Sequence, residues 1–371
     1  MKKNFIISVL LFYWNNVRSQ TLFSEVELNN KRNYAIYIED IKSKSDTLLV
    51  IGFYIKGSYK QLGQSGIKNG FEIPGDENLQ IPKKSKRFLM PQEILLCKKL
   101  QKLQLNAQPI GKINIDLSKL KYLQYLYLKA DSLVELPKNF LQIQHLKKLD
   151  ISVNELKSVP AWLFTHSTLQ ELDLSYQNSQ KGNKDTLLLP AIASNKVLRI
   201  LSLVEIKTTV LPANFLRLEA LEEFNLSKNK FKTLPKEIGN LKNLQILNLS
   251  EGKLERLPKE IGQLKKLKSL DLSDCPLPIL PNEIGDLESL EILNLSNCPI
   301  RVLPDSMINL KNLSEINISG TKLSDFPKIL LELPRLKVII ARNSPIVADW
   351  VEKNQSLIDR IRRKRYLRID L

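Results

Sequence analysis

Residues Leu244–Lys266 read LQILNLSEGKLERLPKEIGQLKK, Leu267–Ser289 read LKSLDLSDCPLPILPNEIGDLES, and Leu290–Asn312 read LEILNLSNCPIRVLPDSMINLKN. The three stretches follow one another without a gap and share one template, L-x-x-L-x-L-x-x-N-x-L-x-x-L-P-x-x-I-G-x-L-x-x. Working outward, unit starts fall at Leu100, Leu123, Leu146, Leu169, Leu198, Leu221, Leu244, Leu267, Leu290, Leu313 and Leu336. Every step has the length of that template except Leu169 to Leu198, which is longer and places a net six-residue insertion within Gln177–Leu188. Two periods coexist in each unit. The L-x-L pair alternates with period two, as a short strand with one buried face does. The P-x-x-I-x-x-L segment has helical spacing, and its proline suits a first turn. One unit cannot bury its own leucines, whereas stacked units bury them in a continuous core.

The pattern resembles the leucine-rich repeat family, in particular the Ras-group type with its L-P-x-x-I-G segment. The resemblance covers about Pro91 to Ile346, roughly two thirds of the chain. It implies an α/β leucine-rich repeat solenoid (horseshoe), with short parallel strands on the concave face and short helical turns on the convex face. It says little about the ligand, because one fold hosts many functions. The family's asparagine ladder falls on Asp131, Asn154, Gln177, Asn229 and Ser344, among others. There a short polar side chain satisfies buried backbone groups of the turn. Cys275 and Cys298 sit in the same slot of adjacent units, and Gly252 occupies it without a side chain to serve. Cys97 matches the slot of the apolar Leu264. A bridge between Cys275 and Cys298 is the rival reading, since a strand spacing of ~4.8 Å permits the Cα separation.

The ends differ from the repeats. Met1–Gln20 carries Lys2 and Lys3, then a run from Phe5 to Trp14 that is apolar except for Ser8, then Val17-Arg18-Ser19. That is the layout of a secretory signal peptide over residues 1–19. Ten residues span only ~15 Å as a helix, too short for a stable anchor, and no later stretch is long and apolar enough to span a membrane. The alternative is an apolar N-terminal strand belonging to the fold. Residues 20–90 read as an N-terminal cap with a degenerate first repeat. Leu48, Ile51 and Phe53 match L-x-x-L-x-L. Tyr34, Tyr37, Ile38 and Ile41 favour a capping helix over a strand through Tyr34, Ile36 and Ile38. Residues 91–346 hold the leucine-rich repeats, and residues 347–371 read as a basic capping helix containing Arg360, Arg362, Arg363, Lys364, Arg365 and Arg368.

Composition and motifs argue against catalysis. The chain has 371 residues, three cysteines, two histidines and a formal charge of +17. No phosphate-binding loop, dinucleotide fingerprint or H-E-x-x-H zinc motif occurs, and no cofactor is implied. His145 falls in a turn between units, and His166 replaces an apolar leucine. The reading is therefore a non-catalytic binding module that acts outside the cytoplasm (secreted, periplasmic or at a bacterial cell surface). Its partner is a protein, or else a surface glycan. The alternatives are an intracellular Ras-group-like signalling scaffold and a basic protein associated with the envelope or with nucleic acid through Arg360, Arg362, Arg363, Lys364 and Arg365. Nucleic acid is disfavoured because the lysines recur with the repeat and alternate with acids, as on a solvated face.

Strand positions between the leucines should face a ligand. Most repeat the same polar residues, with Asp150, Asp173, Asn225, Asn248, Asp271, Asn294 and Asn317 in one row and serines in the next. The first units depart from this. Tyr125 and Tyr127, with Lys102, Lys129 and Lys148 beside them and Tyr176 further on, make the expected exposed recognition patch. Val204-Glu205-Ile206, directly after the insertion, makes a second break and adds Glu205.

Overall fold

A computed structural model describes residues 7–12, 33–36, 50–55, 90, 92–105, 110–130, 132–178, 187–190, 195–364 and 366–371. The chain divides into two compact units, Met1–Lys184 and Asp185–Leu371.

Among the described residues the first unit holds β1 (Ile7–Phe12), β2 (Asn33–Ile36), β3 (Val50–Ile55), β4 (Lys102–Gln104), β5 (Tyr125–Tyr127), β6 (Lys148–Asp150) and β7 (Glu171–Asp173). From β3 to β7 neighbours pair in parallel, with Ile51 opposite Leu103, Leu103 opposite Leu126, Leu126 opposite Leu149 and Leu149 opposite Leu172. Val50–Ile55 thus continues the parallel register, with Ile51 in the position of the later leucines. β1 runs antiparallel to both β2 and β3. Asn33–Ile36 is a strand, not the helix that the spacing of Tyr34 and Ile38 favours. Backbone pairing with β1 overrides the spacing there. Apart from residues 7–12, the N-terminal stretch expected to be a signal peptide lies outside the described residues.

The second unit holds β8 (Ile200–Ser202), β9 (Glu223–Asn225), β10 (Ile246–Asn248), β11 (Ser269–Asp271), β12 (Ile292–Asn294), β13 (Glu315–Asn317), β14 (Val338–Ile340) and β15 (Arg368–Asp370), each parallel to the next. The end departs from the expected single capping helix. Two helices, α1 (Pro345–Lys353) and α2 (Gln355–Lys364), meet at Asn354. The chain then returns as β15 and sets Ile369 opposite Ile339, adding one more coil. The alternation of Leu367, Ile369 and Leu371 is the signal for that coil. Phe326 and Trp350 stack with ring centroids 3.9 Å apart, which fixes α1 on the coil beneath it.

One coil shows why the template folds as it does. Leu244, Leu247, Leu249, Leu254, Ile261 and Leu264 are each fully buried. Each such side chain is worth roughly 1.5–3 kcal/mol relative to exposure. Pro258 caps a five-residue 3-10 turn, Lys259–Gln263, with φ −70°, and Ile261 and Gly262 point inward. The turns are 3-10 rather than α because five residues suffice to bring the chain back, and 3-10 geometry is favoured in such short pieces. The glycine of the template is a packing requirement. A Cβ on Gly262 would lie 2.5 Å from the Glu283 carbonyl oxygen of the next coil.

The ladder positions close the turns. Asn154 Nδ2 donates to Leu128 O (2.7 Å), Gln177 Nε2 to Ile151 O (2.7 Å) and Asn229 Nδ2 to Leu203 O (2.7 Å). Cys275 Sγ donates to Leu249 O (3.2 Å), Cys298 Sγ to Leu272 O (3.0 Å) and Ser344 Oγ to Ile318 O (3.3 Å). In every case the acceptor lies 26 residues back, in the preceding coil. Both cysteines are reduced and buried, as is Cys97. Burial pushes the Cys275 thiol up and the Cys298 thiol up to about 12. The neutral thiol is thus the form that serves as donor. Asp131, expected in the ladder, lies outside the described residues.

The residue before each ladder position takes a left-handed backbone: Val153 (φ 57°), Tyr176 (φ 57°), Glu205 (φ 50°), Lys228 (φ 58°), Glu251 (φ 52°), Asp274 (φ 57°) and Asn297 (φ 59°). Asn and Asp tolerate this conformation, and a β-branched residue does not. Val153→Asn is therefore expected to stabilise the protein by about 1 kcal/mol, from the strain relieved at such a site. Chemical unfolding of the two proteins would check it, and a variant less stable than the parent would contradict the strain argument.

Candidate functional site

The alternation of buried and outward side chains turns each strand into two outward positions flanking a buried leucine, isoleucine or phenylalanine. In the first unit the leading row is Lys102, Tyr125, Lys148 and Glu171, and the trailing row is Gln104, Tyr127, Asp150 and Asp173. The structure brings together the predicted residues Lys102, Tyr125, Tyr127 and Lys148. It also shows that they form no exposed patch. Tyr125 is 7% exposed, Tyr127 9% and Lys102 7%. The Tyr127 ring lies between two cations, with Lys102 Nζ 4.8 Å and Lys148 Nζ 5.7 Å from its centroid. The Lys148 ammonium is also 3.1 Å from Glu171. Attraction between the ring face and the ammonium groups draws the lysines onto the tyrosine. The aromatic surface expected to meet a ligand is largely spent inside the unit.

Lys129 and Tyr176 are half-buried, as is Glu205 in the second unit. The backbones of Tyr176 and Glu205 hold the same left-handed slot as their counterparts in other coils, so that geometry is a property of the repeat. Val204 and Ile206, on either side of Glu205, turn into the core. Of the basic tail, Arg360 is an exposed residue of α2. The side chains of Arg362, Arg363 and Lys364, and Arg365 altogether, lie outside the described residues. His166 is buried, with Nε2 3.2 Å from Phe140 O, and burial lowers its pKa. His145 stacks on Tyr122 in a turn. Among the described residues no cluster of three or more His, Cys, Asp or Glu could hold a metal ion, and no helix is long and apolar enough to cross a membrane.

The second unit presents two different rows. The trailing one is Ser202, Asn225, Asn248, Asp271, Asn294, Asn317, Ile340 and Asp370. Its asparagines and Asp271 are tied to the serine two positions on. Asn248 Oδ1 accepts from Ser250 N (2.9 Å) and Ser250 Oγ (2.7 Å), and Asp271 and Asn294 do the same with Ser273 and Ser296. The leading row is Ile200, Glu223, Ile246, Ser269, Ile292, Glu315, Val338 and Arg368. Ile246 is 42% exposed and Ile292 43%. Among the described residues Glu223 and Glu315 enter no ion pair. Sequence reasoning missed this row because it attended to the repeat-typical rows. An apolar residue recurring every second coil, at 200, 246, 292 and 338, was the signal.

Residues 181–293 and 259–359 match the model of the leucine-rich repeat region family. Repeat, fold and family match agree over these residues, which form a leucine-rich repeat region. Among solved structures, the chain is similar to the leucine-rich repeat ectodomain of the plant membrane receptor kinase GASSHO1/SCHENGEN3 from Arabidopsis thaliana, solved in complex with CASPARIAN STRIP INTEGRITY FACTOR 2. The two share 23% identity over 68% of this chain and 34% of that one, with TM-score 0.52. It is also similar to a chain of the Drosophila Toll–Spatzle complex, at 20% identity over 69% of this chain and 36% of that one, with TM-score 0.57. A leucine-rich repeat protein of Leptospira interrogans shares 27% identity over 76% of this chain and 93% of its own, with TM-score 0.31. The chain spans about a third of the length of the Arabidopsis and Drosophila chains it matches. No curated protein matches its sequence.

The first unit also carries a titratable pair. Asp150 and Asp173 are opposite one another on β6 and β7. Burial first, and then the Asp150 charge, push the Asp173 carboxyl up to about 6, against hydrogen bonds from Ser175. Between pH ~4 and about 6 the folded chain keeps a proton that the unfolded chain releases, so this group's contribution to stability falls as pH rises through that window. Asp173→Asn is expected to stabilise the protein at pH 7 by on the order of 2 kcal/mol. The gain should vanish near pH 4. Unfolding both proteins from pH 4 to 8 checks this, and a pH-independent difference would contradict it.

Proposed function

We propose that this chain is a non-catalytic leucine-rich repeat module that binds a protein partner, or a surface glycan, outside the cytoplasm. The observation that carries the reading is the leading row of the second unit, where Ile246 and Ile292 stand exposed between carboxylates that enter no ion pair among the described residues, beside asparagines and an aspartate tied down by their own serines. A rigid face of this kind lowers the ordering cost of association. The Arabidopsis and Drosophila structures of the same fold were solved as complexes with CASPARIAN STRIP INTEGRITY FACTOR 2 and with Spatzle, which supports a protein over a glycan. In the first unit the half-buried Lys129 and Tyr176 remain candidates for contact, and in the second Glu205 does.

The placement outside the cytoplasm rests on residues 1–19 acting as a signal peptide. The second reading, an intracellular scaffold that keeps its N-terminus, is favoured by β1, which pairs on both sides. Cleavage after Ser19 would remove β1 and separate β2 from β3. Mass spectrometry of the mature N-terminus, on protein from the native host after fractionation, decides between them. Export predicts a start at or near Gln20 in the extracytoplasmic or secreted fraction. An intact Met1 in the cytoplasm would overturn export and move the search for partners inside the cell.

A further inference from the structure

We propose that the strand face of the second unit receives an extended, polyproline-II-like peptide segment of the partner, with an apolar side chain at every third residue and lysine or arginine between. The proposal rests on the binding-module reading above and names the ligand class for that face. Three observations carry it. First, spacing: adjacent strands lie ~4.8 Å apart, so Ile246 and Ile292, separated by β11 alone, are roughly 10 Å apart along the sheet. A polyproline II helix repeats every three residues at ~3.1 Å each, about 9.3 Å, and so presents one side chain per isoleucine. A β-strand, with same-face side chains every ~6.7 Å, falls out of step.

Second, charge: Glu223 and Glu315 alternate with the isoleucines and enter no ion pair among the described residues, on a chain of net charge +17. Cationic side chains complement them. A second copy of this chain does not. The row is nearly palindromic about Ser269, so a two-fold axis there would set carboxylate against carboxylate.

Third, donors: the hydrogen bonds from Ser227, Ser250, Ser296 and Ser319 fix the Oδ1 atoms of Asn225, Asn248, Asn294 and Asn317. Each Nδ2 is thereby turned away from its serine and has no partner among the described residues. A polyproline II segment has no internal hydrogen bonds, and its carbonyl oxygens are available to such a row.

The test is fluorescence anisotropy of the full chain with a labelled synthetic peptide of four Leu-Lys-Pro repeats. Controls are a same-composition peptide without the three-residue period and a helical peptide with leucine and lysine at heptad spacing. The period-three peptide is expected to bind saturably, at least tenfold more tightly than either control. The double variant Ile246→Glu, Ile292→Glu should lose at least tenfold. Glu223→Gln with Glu315→Gln should weaken binding and flatten its salt dependence. Glu223, Ile246 and Ile292 are exposed and Glu315 is half-buried, and matching circular dichroism and melting curves confirm that the variants fold.

Equal binding of the scrambled peptide, preference for the helical one, no saturable binding, or indifference to the isoleucine substitutions would each overturn the proposal. Capture from the native host's secreted fraction separates the two levels. Should the peptide fail while a captured protein is lost with the isoleucine variant, the peptide class alone falls. Should neither depend on this face, the binding-module reading of the face falls with it.

Discussion

Each coil of this protein is completed by the next. The hydrogen bond from a ladder side chain to a carbonyl 26 residues earlier is the plainest form of that dependence. The strand must bend into the turn after its last leucine, which leaves carbonyl groups facing the core with no partner in their own coil. A buried carbonyl without a donor costs about 1–3 kcal/mol, so the slot favours a donor, although Ile206 and Gly252 occupy it without one. Asn, Gln, Ser and Cys all fill it here. The thiols of Cys275 and Cys298 have the weakest hydrogen bonds to offer, but they fit the space that an asparagine would take and keep their protons because they are buried.

This rule explains what the sequence made legible. Period, register and core follow from leucines that recur at one fixed interval, since every copy repeats the same local problem. The first coil at Val50–Ile55 could be placed because Leu48, Ile51 and Phe53 keep the spacing even where the remaining template is lost. The ends were less legible because neighbours there are no longer copies. Tyr34 and Ile38 have helical spacing, yet pairing to β1 makes Asn33–Ile36 a strand. The basic C-terminal segment reads as one helix by charge and pattern. Asn354 breaks it instead, and Ile369 returns to the sheet.

The candidate site was harder to read because exposure is set by neighbours one coil away. Tyr125 and Tyr127 sit at outward positions, and spacing alone makes them exposed. Both are largely buried, and Lys102 and Lys148, on the same face in adjacent strands, converge on the Tyr127 ring. The leading row of the second unit shows the converse. Its isoleucines are ordinary residues in any single coil, and only the alternation with Glu223, Ser269 and Glu315 across coils gives them meaning.

The charge follows the same logic. Lys112 pairs with Glu135, Lys148 with Glu171, Arg199 with Glu222, Lys228 with Glu251, Lys232 with Glu255 and Lys265 with Glu288, each across one repeat. In each the cation comes from the earlier coil and the acid from the next. Exposed pairs of this kind contribute only ~0.2–1 kcal/mol each. Each also sets an acid beside a basic side chain one coil away. A net charge of +17 is therefore not a +17 patch. Glu223 and Glu315 stand outside this pairing. Beside the exposed Ile246 and Ile292 they make that row both apolar and acidic, a combination that burial of the leucines does not require.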